Sequence, residues 1–373
     1  MLRFGRNIFM VSVLFFTACT FKTHEPLLKS PNDSLLNVQI TKWYGDNRGA
    51  LSITNDNGSP NGEQEKKIQL FLLSQGMTLD YELVTANYLL DSSKQLYLKQ
   101  ILLPLGFGFF GHGHYHFNHD DMTYEEALES FSMCYNIMKS FGVNPVAYAY
   151  PGGHGYLFRT RRALRDAGFL CGRKYEELDH YNPYIIPYDV DEPDDWFGLP
   201  SLVMQAYDYG ACDICINNTD ELIPFLDETL NRSAWLILTY HAIGSPSGYG
   251  YYYFDDFKTD VFAIKSRNFW TTSMGNATLY IRERKQASAT AILTVDENKN
   301  PLKIKLSIID GLDNSVYNQP LTLKIGLPDV WWDQSFALIY DNSPVDTVTA
   351  DSTSVLASLL PNGNYYYLLP HTD

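Results

Sequence analysis

Phe107-Gly108-Phe109-Phe110-Gly111-His112-Gly113-His114-Tyr115-His116-Phe117-Asn118-His119-Asp120-Asp121 joins a short apolar run to a loop holding four of the chain's nine histidines. The run over 107–110 reads as a buried β-strand, and its C-terminal end is where parallel β/α folds place their chemistry. A neutral imidazole is the commonest protein ligand for a transition metal. His112 and His116 are four apart, a spacing that points both rings at one locus in a helical turn. The loop is either a solvated histidine-rich segment or a metal site. Clustering directly after an apolar run favours a site held by His112 and His116, with His114 on the opposite side.

Working outward, the same texture repeats on both sides. Gly49 to Thr54 is a short apolar strand that runs into the turn-rich Asn55-Asp56-Asn57-Gly58. Helices are expected over Glu63–Ser74 and Ser92–Leu103, with a strand between them at Leu79–Thr85. Downstream, Thr123-Tyr124-Glu125-Glu126 is a capping box that opens a helix ending at Gly142. Val146 to Tyr150 is a strand that delivers Pro151-Gly152-Gly153-His154-Gly155. Arg161–Ala167 and Asp220–Leu230 read as helices, Phe169–Cys171 and Ala234–Thr239 as strands, and 175–200 as a long acidic loop rich in Pro and Tyr. Strands alternate with helices, and the polar residues of interest stand just after strands. That pattern predicts an α/β fold, a distorted parallel (β/α) barrel in preference to an open sheet, since no Gly-x-Gly-x-x-Gly loop follows the first strand.

After about residue 286 the pattern changes to short strands separated by Asn, Asp, Gly and Pro, which predicts a small all-β sandwich over 287–373. At the other end, Arg3 and Arg6 precede an apolar stretch from Ile8 to Phe16 that is too short to span a bilayer, followed by Thr17-Ala18-Cys19. Residues 1–19 therefore read as an export signal ending in a lipobox, with Cys19 as the lipidated residue; an ordinary secretory signal is the competing reading. Residues 20–40 read as a linker and 41–286 as the main domain. The expected location is the bacterial cell envelope, as an exported lipoprotein at the outer membrane or cell surface, touching the membrane through its lipid anchor only.

The net charge of −15 disfavours nucleic acid as a partner, and loss of residues 1–18 removes two more arginines. With 45% hydrophobic and 19% charged residues, the chain can pack a substantial core. Tyr (27) and Phe (21) are abundant, which suits a groove that stacks sugar rings and equally suits a full core. Export permits a disulfide between Cys212 and Cys215. Cys134 and Cys171 lie in apolar segments and read as buried thiols.

Taken together, the strand-end residues resemble the motifs of the polysaccharide deacetylases, carbohydrate esterase family 4, over roughly residues 43–285. The family's Thr-Phe-Asp-Asp-Gly is matched by Thr54-Asn55-Asp56-Asn57-Gly58, and its His-Ser/Thr-x-x-His by His112-Gly113-His114-Tyr115-His116. Its Arg-x-Pro-x-Gly is matched by Ala149-Tyr150-Pro151-Gly152-Gly153, and its Leu-x-x-His by Leu238-Thr239-Tyr240-His241. The resemblance implies a metal-dependent hydrolase that removes N- or O-acetyl groups from an acetylated polysaccharide, with a divalent metal, usually zinc. It implies Asp56 as base, His241 as acid, and His112, His116 and Asn57 as metal ligands, with Gly152 offering its N–H to the oxyanion. Asn57 stands where the family has a carboxylate, and Ala149 where it has an arginine. Arg173 follows the next strand and is positioned to reach back to Asp56. A second register, using Tyr115 and His119, keeps His119 as an alternative ligand. Pro151 and His154 would line the cleft, and Trp196 and Trp270 are candidate sugar platforms. Trp331-Trp332 would face the first domain. The alternative function is a catalytically impaired relative serving as a glycan-binding or assembly module.

Overall fold

The computed structural model describes residues 33–175, 182–188, 190–210, 212 and 214–371. The signal and lipobox reading at 1–19, Cys19 included, lies outside them, as do His24 and His180. Among the described residues no helix is long and apolar enough to cross a membrane.

In chain order the elements are β1 (Ser34–Leu35), β2 (Val38–Ile40), β3 (Gly49–Asn55), α1 (Glu63–Ser74), β4 (Asp80–Leu83), α2 (Thr85–Leu90), α3 (Ser92–Tyr97) and β5 (Gly108–Gly111). They continue with α4 (Tyr124–Ser140), β6 (Ala147–Ala149), α5 (Phe158–Asp166), β7 (Cys171–Arg173), β8 (Leu202–Met204), β9 (Cys215–Ile216), α6 (Thr219–Asn231) and β10 (Trp235–Tyr240). Then come α7 (Phe254–Lys265), β11 (Phe269–Thr271), α8 (Met274–Gln286), β12 (Ser288–Val295), β13 (Pro301–Ile309) and β14 (Leu321–Gly326). Last are β15 (Ser335–Tyr340), β16 (Ser343–Thr349), β17 (Ser354–Leu359) and β18 (Asn362–Pro370).

One parallel sheet runs β7-β6-β5-β4-β3-β10-β8-β9, with β11 beside the first half of β3. It curls on itself. Leu199, three residues before β8, bridges Arg173 of β7 in parallel, and Leu199 N donates to Gly172 O at 2.8 Å. The result is the distorted (β/α) barrel expected from the alternation of elements. Strand periodicity sorts the side chains. Leu51, Ile53, Tyr81, Leu83, Tyr148, Leu236 and Leu238 point outward into the core shared with the helices. Ala50, Phe110, Ala147, Ala149, Cys171, Trp235 and Ile237 point inward, where Met274, Ala277 and Ile281 of α8 complete the filling. Buried Asp80 accepts from the backbone N–H of Met274 at 2.7 Å, which holds the first turn of α8 against β4.

The capping box at Thr123 and Glu126 is formed, and Glu63–Ser74 is helical over the expected span. The helix expected over Ser92–Leu103 is α-helical only to Tyr97 and continues as a π-helical turn at Leu98–Leu102. Cys212 and Cys215 are disulfide-bonded, and Cys134 and Cys171 are buried free thiols.

The C-terminal strands form a six-stranded sheet, β1-β12-β13-β18-β15-β16, and a three-stranded sheet, β17-β14-β2. Alternate residues such as Ile304, Leu306, Ile308, Leu321, Leu323 and Ile325 pack between them in one core. The linker expected over 20–40 needs correction here. Residues 34–40 supply β1, paired with β12, and β2, paired with β14. Polar pairs such as Gln39 concealed the apolar alternation of Leu36, Val38 and Ile40, which pack against that core. Trp331 is buried in the sandwich against Phe336, and Trp332, 41% exposed, donates to Leu327 O at 3.3 Å, so the bonds that hold this pair come from the sandwich itself.

Glu283 of α8 is fully buried and accepts the N–H of Gln319 through both oxygens at 3.1 Å. Burial pushes its pKa up from 4.5 to about 8. A carboxyl whose folded pKa is raised stabilises the fold most below its unfolded value, and that stability is lost as pH rises through the folded one. Glu283→Gln cannot titrate. It is expected to raise the thermal unfolding midpoint by a few degrees at pH 9 and to leave it nearly unchanged at pH 4.5, as followed by circular dichroism.

Candidate active site

The inward-pointing residues at the C-terminal end of the barrel continue the filled interior and are polar. On β3 the inward series Ala50, Ser52, Thr54 leads to Asp56. On β4 it reaches Glu82, on β5 His112, on β7 Arg173, and on β10 Thr239 and then His241. All of these are shielded from solvent.

Arg173 is the centre of the group. Its Nη2 donates to both oxygens of Asp56, at 2.8 and 2.6 Å, and its Nη1 donates to Thr239 Oγ1. The guanidinium stacks over Phe110 at 5.4 Å and Tyr175 at 5.7 Å. Small Ala149, inward on β6 between β5 and β7, leaves room for that side chain to cross the barrel. Burial acts to raise the Asp56 pKa, but Arg173, with His112 and His241, outweighs it and holds the carboxyl below 3.8. Asp56 is therefore ionised at neutral pH.

His112 Nδ1 lies 2.8 Å from Ala149 O, and its Nε2 faces Glu82 Oε2 at 3.3 Å. Burial pushes the His112 pKa down to about 3. Burial, with Asp56 adding to it, pushes Glu82 up to about 8. Burial thus disfavours the charged form of both groups in this contact. His116 is exposed, with its ring centroid 4.9 Å from that of His112.

His241 is packed between Tyr175, whose hydroxyl lies 3.1 Å from its Nε2, and Tyr249, whose ring meets it edge-on at 5.0 Å. Burial, partly offset by Asp56, keeps its pKa below 6.5. A Cβ at Gly250, where φ is +55°, would stand 2.9 Å from His241 Nδ1, so this turn needs glycine. Tyr175 also lies across Gly153, where a Cβ would fall 2.0 Å from its ring. In this way Tyr175 links the Pro151-Gly152-Gly153 turn to His241. Gly152 is exposed at φ +68°, next to half-buried His154. Asp120 anchors the following loop by accepting the backbone N–H groups of Gly155 and Tyr156, each at 2.9 Å.

Four expected residues are placed elsewhere. Asn57 Nδ2 donates to Glu65 Oε1 at 2.9 Å and its Oδ1 accepts from Ser59 N at 3.2 Å, so its amide is committed to the turn and not to the histidines. His119 is stacked on Phe131 at 4.3 Å and paired with Ser130, in the core beneath α4. Trp196 carries the guanidinium of Arg282 on its ring at 4.4 Å and packs with the barrel interior. Trp270 lies on β11, opposite Ala50 and between Tyr44 and Tyr280. That is six residues before Asp56 along the strand, or roughly 20 Å from the mouth. His114 bonds Thr85 and holds the loop to α2.

Glu82, Tyr175 and Thr239 were not singled out in the sequence. One signal was present for Glu82: Asp80 and Glu82 interrupt an apolar stretch with period two, which marks an inward face that is not apolar.

No protein-family model matches the sequence, and no curated protein matches it. Solved structures do resemble the fold. One is the CE4 domain of a multidomain xylanase from the hindgut metagenome of Trinervitermes trinervoides, at 12% identity and TM-score 0.39, covering 61% of this chain and 89% of that one. The Puue allantoinase is similar at 16% identity and TM-score 0.44, covering 65% and 93%. A CE4 family pseudoenzyme from Bacillus anthracis is similar at 10% identity and TM-score 0.39, covering 61% and 65%. The likeness is one of fold. It assigns neither an activity nor a residue role here.

Proposed function

We propose that this protein is a hydrolase that removes acetyl groups from a polysaccharide. The observation that carries the reading is the doubly bonded Arg173–Asp56 pair at the barrel mouth, with His112 and His241 close enough to act on the same carboxylate. The resemblance called for an arginine on the strand where Ala149 stands, and Arg173 does the same work from the neighbouring strand.

In this reading Asp56, ionised and fixed in orientation, takes a proton from the attacking water. The proton ends on the leaving oxygen or nitrogen, and His241 carries it there. His241 is neutral at rest and lies in the field of Asp56, so it can accept a proton and give it up. The backbone N–H of Gly152 would serve the developing oxyanion. A divalent ion of the zinc class, held at the histidines, would polarise the acetyl carbonyl and acidify the water. The expectation of an exported lipoprotein at the cell envelope belongs to the same proposal and suits a polysaccharide substrate.

Sugar platforms are better sought in the tyrosines beside His241 than in Trp196 and Trp270. Tyr249 is 72% exposed and lies 6.0 Å from Tyr209. Tyr249→Ala is expected to raise KM for an oligosaccharide by ~10-fold with little change in kcat, from the loss of one stacking face of about 1–1.5 kcal/mol.

The deciding experiment is acetate release from acetylated chitin oligomers, peptidoglycan and acetylxylan, with zinc supplied. Release from one of them is the expected result. Release from none sinks the hydrolase and leaves the glycan-binding reading, which the diverted Asn57 amide favours.

A further inference from the structure

We propose that Glu82 supplies the carboxylate of a divalent-cation site formed with His112 and His116, in the place expected for Asn57. The inference rests on the hydrolase reading for its use, but not for its geometry. His112 Nδ1 faces a backbone carbonyl, which can only accept, so Nδ1 carries the ring proton and Nε2 presents a lone pair. Glu82 Oε2 lies 3.3 Å from that nitrogen. Two acceptors at this distance repel unless a proton or a cation lies between them. The spacing also suits an ion. Two donors bonded to one zinc at ~2.0–2.1 Å, with tetrahedral angles, stand about 3.3–3.4 Å apart. The Nδ1 bond to Ala149 O is the kind of orienting contact that metal-bound histidines receive.

The surroundings agree. Asp56 and Glu82 are two buried carboxyls beside a single arginine, an arrangement that gains from an added positive charge. The turn after Asp56 leaves space for Glu82, because a Cβ at Gly58 would stand 3.0 Å from its Oε1. Among the described residues, no three His, Cys, Asp or Glu side chains converge as they stand. The site we propose needs His116 to turn inward; it is exposed, on a bend, with its ring centroid 4.9 Å from that of His112. Two imidazoles, a carboxylate and an open mouth make a donor set of the zinc type.

The test is calorimetric titration of metal-stripped protein with zinc, with the visible spectrum of the cobalt(II) form as a second readout. Wild type is expected to bind one ion per chain. Glu82→Gln should weaken zinc at least ~30-fold, and Asn57→Ala less than ~2-fold. Glu82→Asp keeps the charge but withdraws it by one methylene. It should weaken zinc several-fold and shift the cobalt bands, and it replaces the Gln variant if that one does not fold. Unchanged zinc affinity in the Glu82 variants, loss of zinc in Asn57→Ala, or no zinc in wild type overturns the assignment. Acetate release is scored separately. Zinc binding through Glu82 without any acetate sinks the hydrolase and leaves the cation site; acetate release together with unchanged zinc affinity in Glu82→Gln does the opposite.

Discussion

Arg173→Met is expected to destabilise the protein by roughly 3–5 kcal/mol at pH 7, the usual cost of leaving a buried charge without its partner. The guanidinium satisfies both oxygens of Asp56 and the hydroxyl of Thr239. Methionine fills much of the volume but none of these roles. The loss should depend on pH with a definite sign. In the wild type Asp56 titrates below 3.8, so its contribution is present above that value and lost as pH falls through the depressed one. In the variant, burial without the arginine raises the Asp56 pKa, and protonation relieves the penalty. The difference between the two proteins, measured by urea unfolding, should therefore shrink between pH 7 and pH 4.5. The double variant Arg173→Met with Asp56→Asn should recover most of the stability. Arg173→Lys should recover only part, because an ammonium cannot bridge two carboxylate oxygens and a hydroxyl in one plane. A loss below ~1 kcal/mol for Arg173→Met would remove the pair from the centre of this site.

Asp56→Asn and His241→Ala are each expected to lower kcat for acetate release by ~10²–10⁴-fold, the range for loss of a positioned acid or base, with KM changed by less than ~3-fold. Asp56→Asn keeps the shape but leaves the buried Arg173 guanidinium without its carboxylate, so its kcat is compared at a temperature where circular dichroism shows the variant folded. In the wild type the acid limb of the rate profile should fall below pH 6.5, the value of an ordinary histidine, because burial depresses His241 and Arg173 keeps Asp56 ionised. An acid limb above 6.5, or a His241→Ala variant with full kcat, removes His241 from proton transfer.

Much of this fold was legible before any coordinate. Apolar runs at Phe107–Phe110 and Ala234–Thr239, amphipathic segments between them, and a capping box at Thr123 report local preferences, which the chain realises where it stands. The histidine loop and Asp56 were legible for a similar reason: residues at the end of an inward strand face the barrel mouth whatever the neighbouring strands carry.

The partners of those residues were another matter. Arg173 could be placed after a strand, but only the closed sheet brings it across a small Ala149 to Asp56. Asn57 and His119 carry suitable donors in suitable positions, yet Glu65 claims one and Phe131 stacks on the other. Glu82 shows in the sequence only as a polar break in an apolar stretch, and its place beside His112 appears when β4 is laid beside β5. The histidine loop by itself determined that polar chemistry sits at the C-terminal end of β5. The tertiary structure decided which atoms share it, because hydrogen-bond partners and buried charge are set by distances between strands, and sequence spacing does not carry those distances.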